Sequence, residues 1–461
     1  MSRINHYAPA LATNSVGTVV PKISAEKQLR RLTMAHMLWE DQFYVDGKQN
    51  AVLLAEVLKQ VDPKVAQDIA LEAREKFKLR HVPLLIMREM ARIGKMQASS
   101  LAAVIQRPDE IGEFISLYWK EKKTPLANQV KKGLAESFHK FSEYQFAKWD
   151  SNSAAIKLRD AMFLCHPKPQ NEAETILFKK IAAGELKTPD TWEVNLSGGG
   201  DKRETFTRLM NERKLGALAF LRNLRNMIQA GVNESLIREY AKSLNTERVL
   251  PFRFLTAAAH APHLKDMLEE MMFRCLDNHP KLPGRTVLVV DVSGSMGQRV
   301  SSKSEMTALE AAAALAALAR QVCEEVVIYA TAGDDGRRVH ATKEIKGAKG
   351  FALIEGITKR SMVRELGGGG IFFVQAMDYI AVQERGKRVD RVVVFTDEQD
   401  TSLSGRNFNP ATAKRLAPEG RNYIVNVGTN QNGINSKEWL TITGMSEAII
   451  DFIQEAETLG W

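Results

Sequence analysis

The sequence predicts a chain in two parts, a long stack of α-helices followed by a parallel α/β sandwich. Apolar residues recur at three- and four-residue intervals from Lys22 to about Asn278, the period of amphipathic helices. From Lys281 onward, apolar strands alternate with helices. The whole of the +9 net charge falls in the first part. At 461 residues the chain exceeds one ordinary domain, so two or three separately buried cores are expected.

Residues 1–21 carry no periodic pattern and are expected to be an extended N-terminal segment. Residues 22–280 read as helices such as SAEKQLRRLTMAHML, NAVLLAEVLKQV, VKKGLAESFHKF and KLGALAFLRNLRNMIQAG. Their connections are short and carry Pro, Gly or Asn, as in VDPK, KTPLAN, CHPKP and KTPDT. Many short amphipathic helices in succession predict stacked antiparallel pairs, a solenoid or a large bundle, although no strict sequence period is present. After KLPG, residues 281–461 change character. TVLVVD, EEVVIYA, RVVVFTD and NYIVNVG read as strands, with helices over SEMTALEAAAALAALARQV, VQAMDYIAVQERG and MSEAIIDFIQEAETLG. Such alternation predicts a parallel sheet with helices on both faces and a binding site beyond the C-terminal strand ends.

The charge changes at the same boundary. Residues 1–280 hold 42 Lys+Arg against 33 Asp+Glu, whereas residues 281–461 hold 22 against 22. A basic first part favours a polyanionic partner without identifying one. No stretch approaches the length of an uncharged transmembrane span, and MSRINHYAPALATNSVG lacks the apolar run of a secretion signal. Cys165, Cys275 and Cys323 are odd in number and far apart, which argues for a reducing cytoplasm and against a disulfide framework or Cys-rich metal site.

The α/β part offers one chemical site. Asp291 ends the strand TVLVVD, Ser293 and Ser295 follow in the loop, and Asp397 ends RVVVFTD. Parallel strands bring both ends to one edge, where two carboxylates and two hydroxyls supply the hard oxygens that Mg²⁺ prefers. Without a cation, close carboxylates repel and one tends to stay protonated. A serine-hydrolase elbow needs Gly-x-Ser-x-Gly, and a phosphate-binding loop needs Gly-Lys-Ser/Thr; neither is present. A phosphatase-like role for Asp291 lacks an accompanying acid and phosphate-gripping Lys. The Asp-x-Ser-x-Ser pattern with a later Asp resembles the metal-ion-dependent adhesion site of von Willebrand factor A domains. In that pattern a Thr supplies a further ligand, but ELGGGGIFFVQAMDYI places Gly370 there. Ser361 and Thr396 are the nearby hydroxyls that could compensate.

In the helical part, cations recur beside aromatic or amide residues. Lys140 and Lys148 lie in SFHKFSEYQFAKW, Arg159 in IKLRD, His166 and Lys168 in CHPKP, and Arg222 and Arg225 in FLRNLRNMI. Such groups neutralise phosphates while exposed rings stack on bases. Most aromatics here are expected in the core, and a solvated stripe competes for Arg222 and Arg225. His166 follows an apolar helical run and precedes Pro167, so a helix C-terminus is expected there, where a cation sits favourably. HAPH at 260–263 lacks a third metal ligand nearby.

The runs AIKLRDAMFLCHPKP, KLGALAFLRNLRNM and RFLTAAAHAP, in that order and joined to KLPGRTVLVVDVSGSM, resemble the bacterial Ro proteins, orthologs of the 60 kDa Ro autoantigen. The resemblance extends from about residue 22 to the end. It implies an α-helical ring of HEAT-like repeats, the TROVE module, closed by a C-terminal Rossmann-like von Willebrand factor A domain. It further implies a monomeric, cytoplasmic ribonucleoprotein without catalytic activity. Small non-coding Y RNA would bind the basic outer face, and single-stranded 3′ ends of misfolded or damaged RNAs would enter a central hole. RNA quality control with an exoribonuclease partner follows, and His166 matches a histidine lining that hole. The competing reading is a protein–protein adhesion scaffold that uses the cation site, which the uneven charge argues against.

Overall fold

The computed structural model describes residues 24–35, 47–151, 153–247, 249, 252–277, 279–299, 306–398, 415–418, 421–427, 439–443 and 448–459. The expected extended segment 1–21 lies outside them. The chain divides into two compact units. The first comprises Ala25–Met34 and Lys48–Asn245; the second contains Thr246–Trp461. The α/β unit therefore reaches back to Thr246, taking the helices Phe252–His260 and Lys265–Arg274 with it.

The first unit is all helical, and its helix starts are set by local chemistry. Asp62, Asn171, Asp201 and Asn233 each accept a backbone N–H from the first turn of the helix they precede. Ser142 and Gln145 form a reciprocal capping box before Glu143–Trp149. Phe114, Phe138, Phe146, Phe206 and Phe220 are fully buried, so most aromatics do serve the core. Gly133 permits the helix Asn128–Phe138 to approach Ala98–Val104 closely: a Cβ there would stand 2.6 Å from the Ala98 carbonyl oxygen.

Ion pairs tie successive segments of the unit together. Arg80 reaches Glu113 and Arg88 reaches Glu121, each 33 residues on; His139 meets Glu174 after 35, Arg74 meets Glu110 after 36, and Lys180 meets Glu143 across 37, while Arg80 also meets Asp109 after 29 and Arg30 meets Glu72 after 42.

The second unit is built on a six-stranded sheet in the order β3-β2-β1-β4-β5-β6. Its strands are β1 Leu282–Asp291, β2 Cys323–Asp334, β3 Val339–Glu344, β4 Arg391–Thr396, β5 Asn422–Asn426 and β6 Leu440–Thr443. All pairings are parallel except β2 with β3. From the central pair β1 and β4 the chain winds outward in both directions, which makes their C-terminal ends the switch point where such sheets bind ligands. The core is aliphatic: Val287, Val289, Val392, Val394 and Ile424 pack with Phe373 and Met377 from the helix Phe373–Gln383. Within this unit Glu269 accepts the Phe351 backbone N–H at 2.5 Å, and Lys265 pairs with Glu355, clamping Lys265–Arg274 to the helix Gly350–Thr358.

Candidate nucleic-acid interface and cation site

All seven basic residues singled out in the helical part are exposed: Lys140, Lys148, Arg159, His166, Lys168, Arg222 and Arg225. The helix Leu158–Cys165 ends as the sequence predicted. His166 is its C-cap, in left-handed backbone at φ 52°, and its N–H donates to the Met162 carbonyl at 2.9 Å. Pro167 then prevents continuation. Arg222 and Arg225 stand on the outer face of Ala217–Gln229, opposite buried Phe220, Leu221, Leu224 and Met227.

Lys140 is placed differently. Its ammonium donates to the Ala102 carbonyl at 2.6 Å and to that of Ile105, closing the C-terminal end of Ala98–Val104. Burial pushes its pKa down, with Glu110 acting in the opposite sense. This amine satisfies helix-end carbonyls inside the unit.

Aromatic rings accompany the exposed cations, which the sequence had not separated from core aromatics. Tyr144 is 45% exposed and Phe163 51% exposed. Lys148 lies 5.9 Å from the Tyr144 ring centre and 5.8 Å from that of Trp149. The Arg107 guanidinium covers the Trp149 ring at 3.6 Å, and that of Arg159 lies 5.7 Å from the Phe163 ring. Phe163 lies four residues from exposed Arg159, on a helix whose other face is apolar.

In the α/β unit, Asp291 and Asp397 are both buried, with 0% and 1% exposure, at the ends of neighbouring strands. Asp291 Oδ1 accepts the Ser293 backbone N–H at 2.8 Å, and its Oδ2 accepts the Thr396 hydroxyl at 2.6 Å. The hydroxyls of Ser293 and Ser295 are 3.2 Å apart. Burial, and then the Asp397 carboxylate, hold the Asp291 carboxyl well above the usual range. Buried carboxylates that repel one another beside two serine hydroxyls form a donor set that a hard cation fits. Among the described residues no group of three or more His, Cys, Asp or Glu comes together for a metal, and this site has two carboxylates.

Where the adhesion-site pattern has a threonine, the glycine loop makes backbone hydrogen bonds. Gly370 N donates to Asp335 Oδ1 at 2.9 Å, Gly369 N to the Gly333 carbonyl at 3.0 Å, and Gly294 N to the Gly369 carbonyl at 3.0 Å. The glycine loop thus links the end of β2 to the serine loop. A Cβ at Gly369 would lie 2.8 Å from the Gly333 oxygen, so a side chain there would displace the loop. Thr396 positions Asp291 and also accepts the Glu398 N–H at 2.9 Å; Ser361 is exposed on Arg360–Glu365.

Residues 179–328 match the TROVE domain family. The fold is similar to that of the Deinococcus radiodurans RO (RSR) protein, with a TM-score of 0.63, 18% identity, and coverage of 94% of this chain and 99% of that one. Residues 179–328 are thus similar to the TROVE domain, and the chain has the fold of that RO protein. Among curated proteins it is similar to telomerase protein component 1 of Mus musculus, 37% identical over 79 residues, and to that of Rattus norvegicus, 30% over 111 residues. These segments are 16% and 23% of this chain but 3% and 4% of the relatives' length. No helix among the described residues is long and apolar enough to cross a membrane.

Proposed function

We propose that this protein is an RNA-binding ribonucleoprotein component without catalytic chemistry of its own. A small structured, Y-like non-coding RNA binds the basic outer surface, and single-stranded 3′ ends of misfolded or damaged RNAs enter the central hole that the Ro resemblance implies. Its role is cytoplasmic RNA quality control, as a monomer beside an exoribonuclease. The observation that carries the reading is the set of exposed cations Lys148, Arg159, His166, Lys168, Arg222 and Arg225, none with an acidic partner among the described residues, in the part of the chain that holds all the net charge. Such cations interleaved with exposed rings suit phosphate neutralisation and base stacking.

In the α/β unit, Asp291, Ser293, Ser295 and Asp397 hold a divalent cation, Mg²⁺ by the hardness of the oxygens. A cation held there would neutralise the two carboxylates. Its place at the sheet's switch point supports this reading.

The test is to crosslink the protein to RNA in its native cells and sequence what is recovered, alongside a variant carrying His166→Ala, Lys148→Ala and Arg159→Ala. One dominant small structured RNA plus scattered 3′ ends, with the scattered ends lost in the variant, is the expected result. Recovery of nothing above background by the wild type would remove the RNA reading.

A further inference from the structure

The helix Leu158–Cys165 buries Leu158, Ala161, Met162 and Cys165 and turns a different stripe to solvent. Arg159 and Phe163 are four residues apart, so they share that face, and both are exposed. Along the axis they are separated by about 6 Å. The Arg159 guanidinium lies 5.7 Å from the Phe163 ring centre, inside cation–π range. His166, exposed, caps the end of the same helix three residues further on. An exposed apolar ring therefore lies between two basic residues of one short segment.

We propose that Phe163 is the stacking platform for one unpaired nucleobase, with Arg159 and His166 taking the phosphates on either side. The inference rests on the reading that the helical unit binds single-stranded RNA, and it adds a residue and a chemical moiety to that reading. Charge selects the occupant. Lys157, Arg159 and Lys168 are exposed cations on and beside this helix, and Asp160 is its one acidic residue. An apolar protein surface covering Phe163 would bury these cations without partners, at a cost that a phosphate backbone reverses. Every base has a flat π-face, so the platform accepts any of the four and requires only that the base be unpaired.

Binding of short fluorescent oligoadenylate and of a blunt RNA duplex, followed by anisotropy against salt concentration, tests this. Phe163→Ala should weaken the single strand about tenfold with the salt slope unchanged, because stacking releases no counterions. Phe163→Trp should retain the affinity, Phe163→Leu should lose it, and duplex binding should not move. An abasic position walked along the strand should weaken the wild type at one site and leave Phe163→Ala indifferent. If Phe163→Ala binds the single strand as tightly as wild type while Arg159→Ala weakens it, the platform is refuted and RNA binding stands. If Phe163→Ala also weakens the duplex equally, the ring recognises something other than an unpaired base, and the proposal is overturned in that way. If the wild type binds neither RNA, the underlying reading falls with it.

Discussion

Thr396 donates its hydroxyl to Asp291 Oδ2 across 2.6 Å, joining the C-terminal ends of the two central strands. The bond fixes one carboxylate oxygen of the candidate cation site and leaves the site's other carboxylate, on Asp397, one residue further on. Excess Mg²⁺ should raise the melting temperature of the wild type, since a ligand of the folded state stabilises it. Asp291→Ala should abolish the increment and Thr396→Val should reduce it, with a cation-independent loss of about 2 kcal/mol for the bond itself. Scanning calorimetry with and without Mg²⁺ separates the two effects. An unmoved wild-type midpoint would remove the cation and leave the hydrogen bond as a purely structural link.

Glu110 is a second buried anchor, fully excluded from solvent. It pairs with Arg74 Nη2 at 2.5 Å and accepts the backbone N–H of Gln106 at 2.8 Å and of Arg107 at 3.1 Å. Glu110→Ala leaves the Arg74 guanidinium, 8% exposed, without its counter-charge. A loss of about 3–5 kcal/mol is expected. The pair Arg74→Met with Glu110→Leu should recover only part of it, because Arg74 also donates to the Val104 and Leu79 carbonyls. Urea unfolding midpoints of the single and double variants measure this, and a near-neutral Glu110→Ala would show that the pair contributes nothing net.

The α/β unit was legible because its strands are continuous apolar runs ending on Asp291 and Asp397, a pattern that buried parallel strands impose. β3 was not legible. It is an edge strand, VHATKE, with exposed and half-buried positions and no apolar run. The helical stack was readable as helices, but the ion pairs that tie it together were not, since Arg, His and Lys reach Asp or Glu at separations from 29 to 42 residues and many residue types satisfy that. His166 was readable from the following proline. The exposure of Phe163 and the pairing of the Lys140 ammonium with carbonyls were not, because one-dimensional spacing does not say which aromatic stays outside or which amine finds carbonyls.

Glu113 makes the helical unit's stability depend on acid. Burial alone would raise its pKa, but hydrogen bonds from His81, at 2.9 Å, and Arg80, at 2.6 Å, outweigh it and hold the carboxyl below its ordinary 4.5. A depressed folded-state pKa means that the unfolded chain binds the proton first, so the contribution is complete above about pH 4.5 and lost as pH falls through the folded value. Glu113→Gln should flatten the dependence of the melting temperature on pH below that point. A variant whose acid limb matches wild type would place the acid sensitivity elsewhere.

Lys140 and Arg159 should respond in opposite ways to removal of charge. The Lys140 ammonium completes the carbonyl end of Ala98–Val104, so Lys140→Met leaves helix-end acceptors unpaired and should cost about 1–2 kcal/mol of stability with RNA affinity unchanged. Arg159 is exposed beside the Phe163 ring, so Arg159→Ala should hold stability within about 0.5 kcal/mol. Its effect should appear in RNA binding, as a weakening that is alike across sequences and a salt slope lower by about one, since one phosphate is no longer neutralised. Thermal melts and anisotropy titrations on the same two variants decide between them. Loss of RNA affinity by Lys140→Met at an unchanged melting temperature would mean that its ammonium leaves the carbonyls for a phosphate, and would return it to the interface.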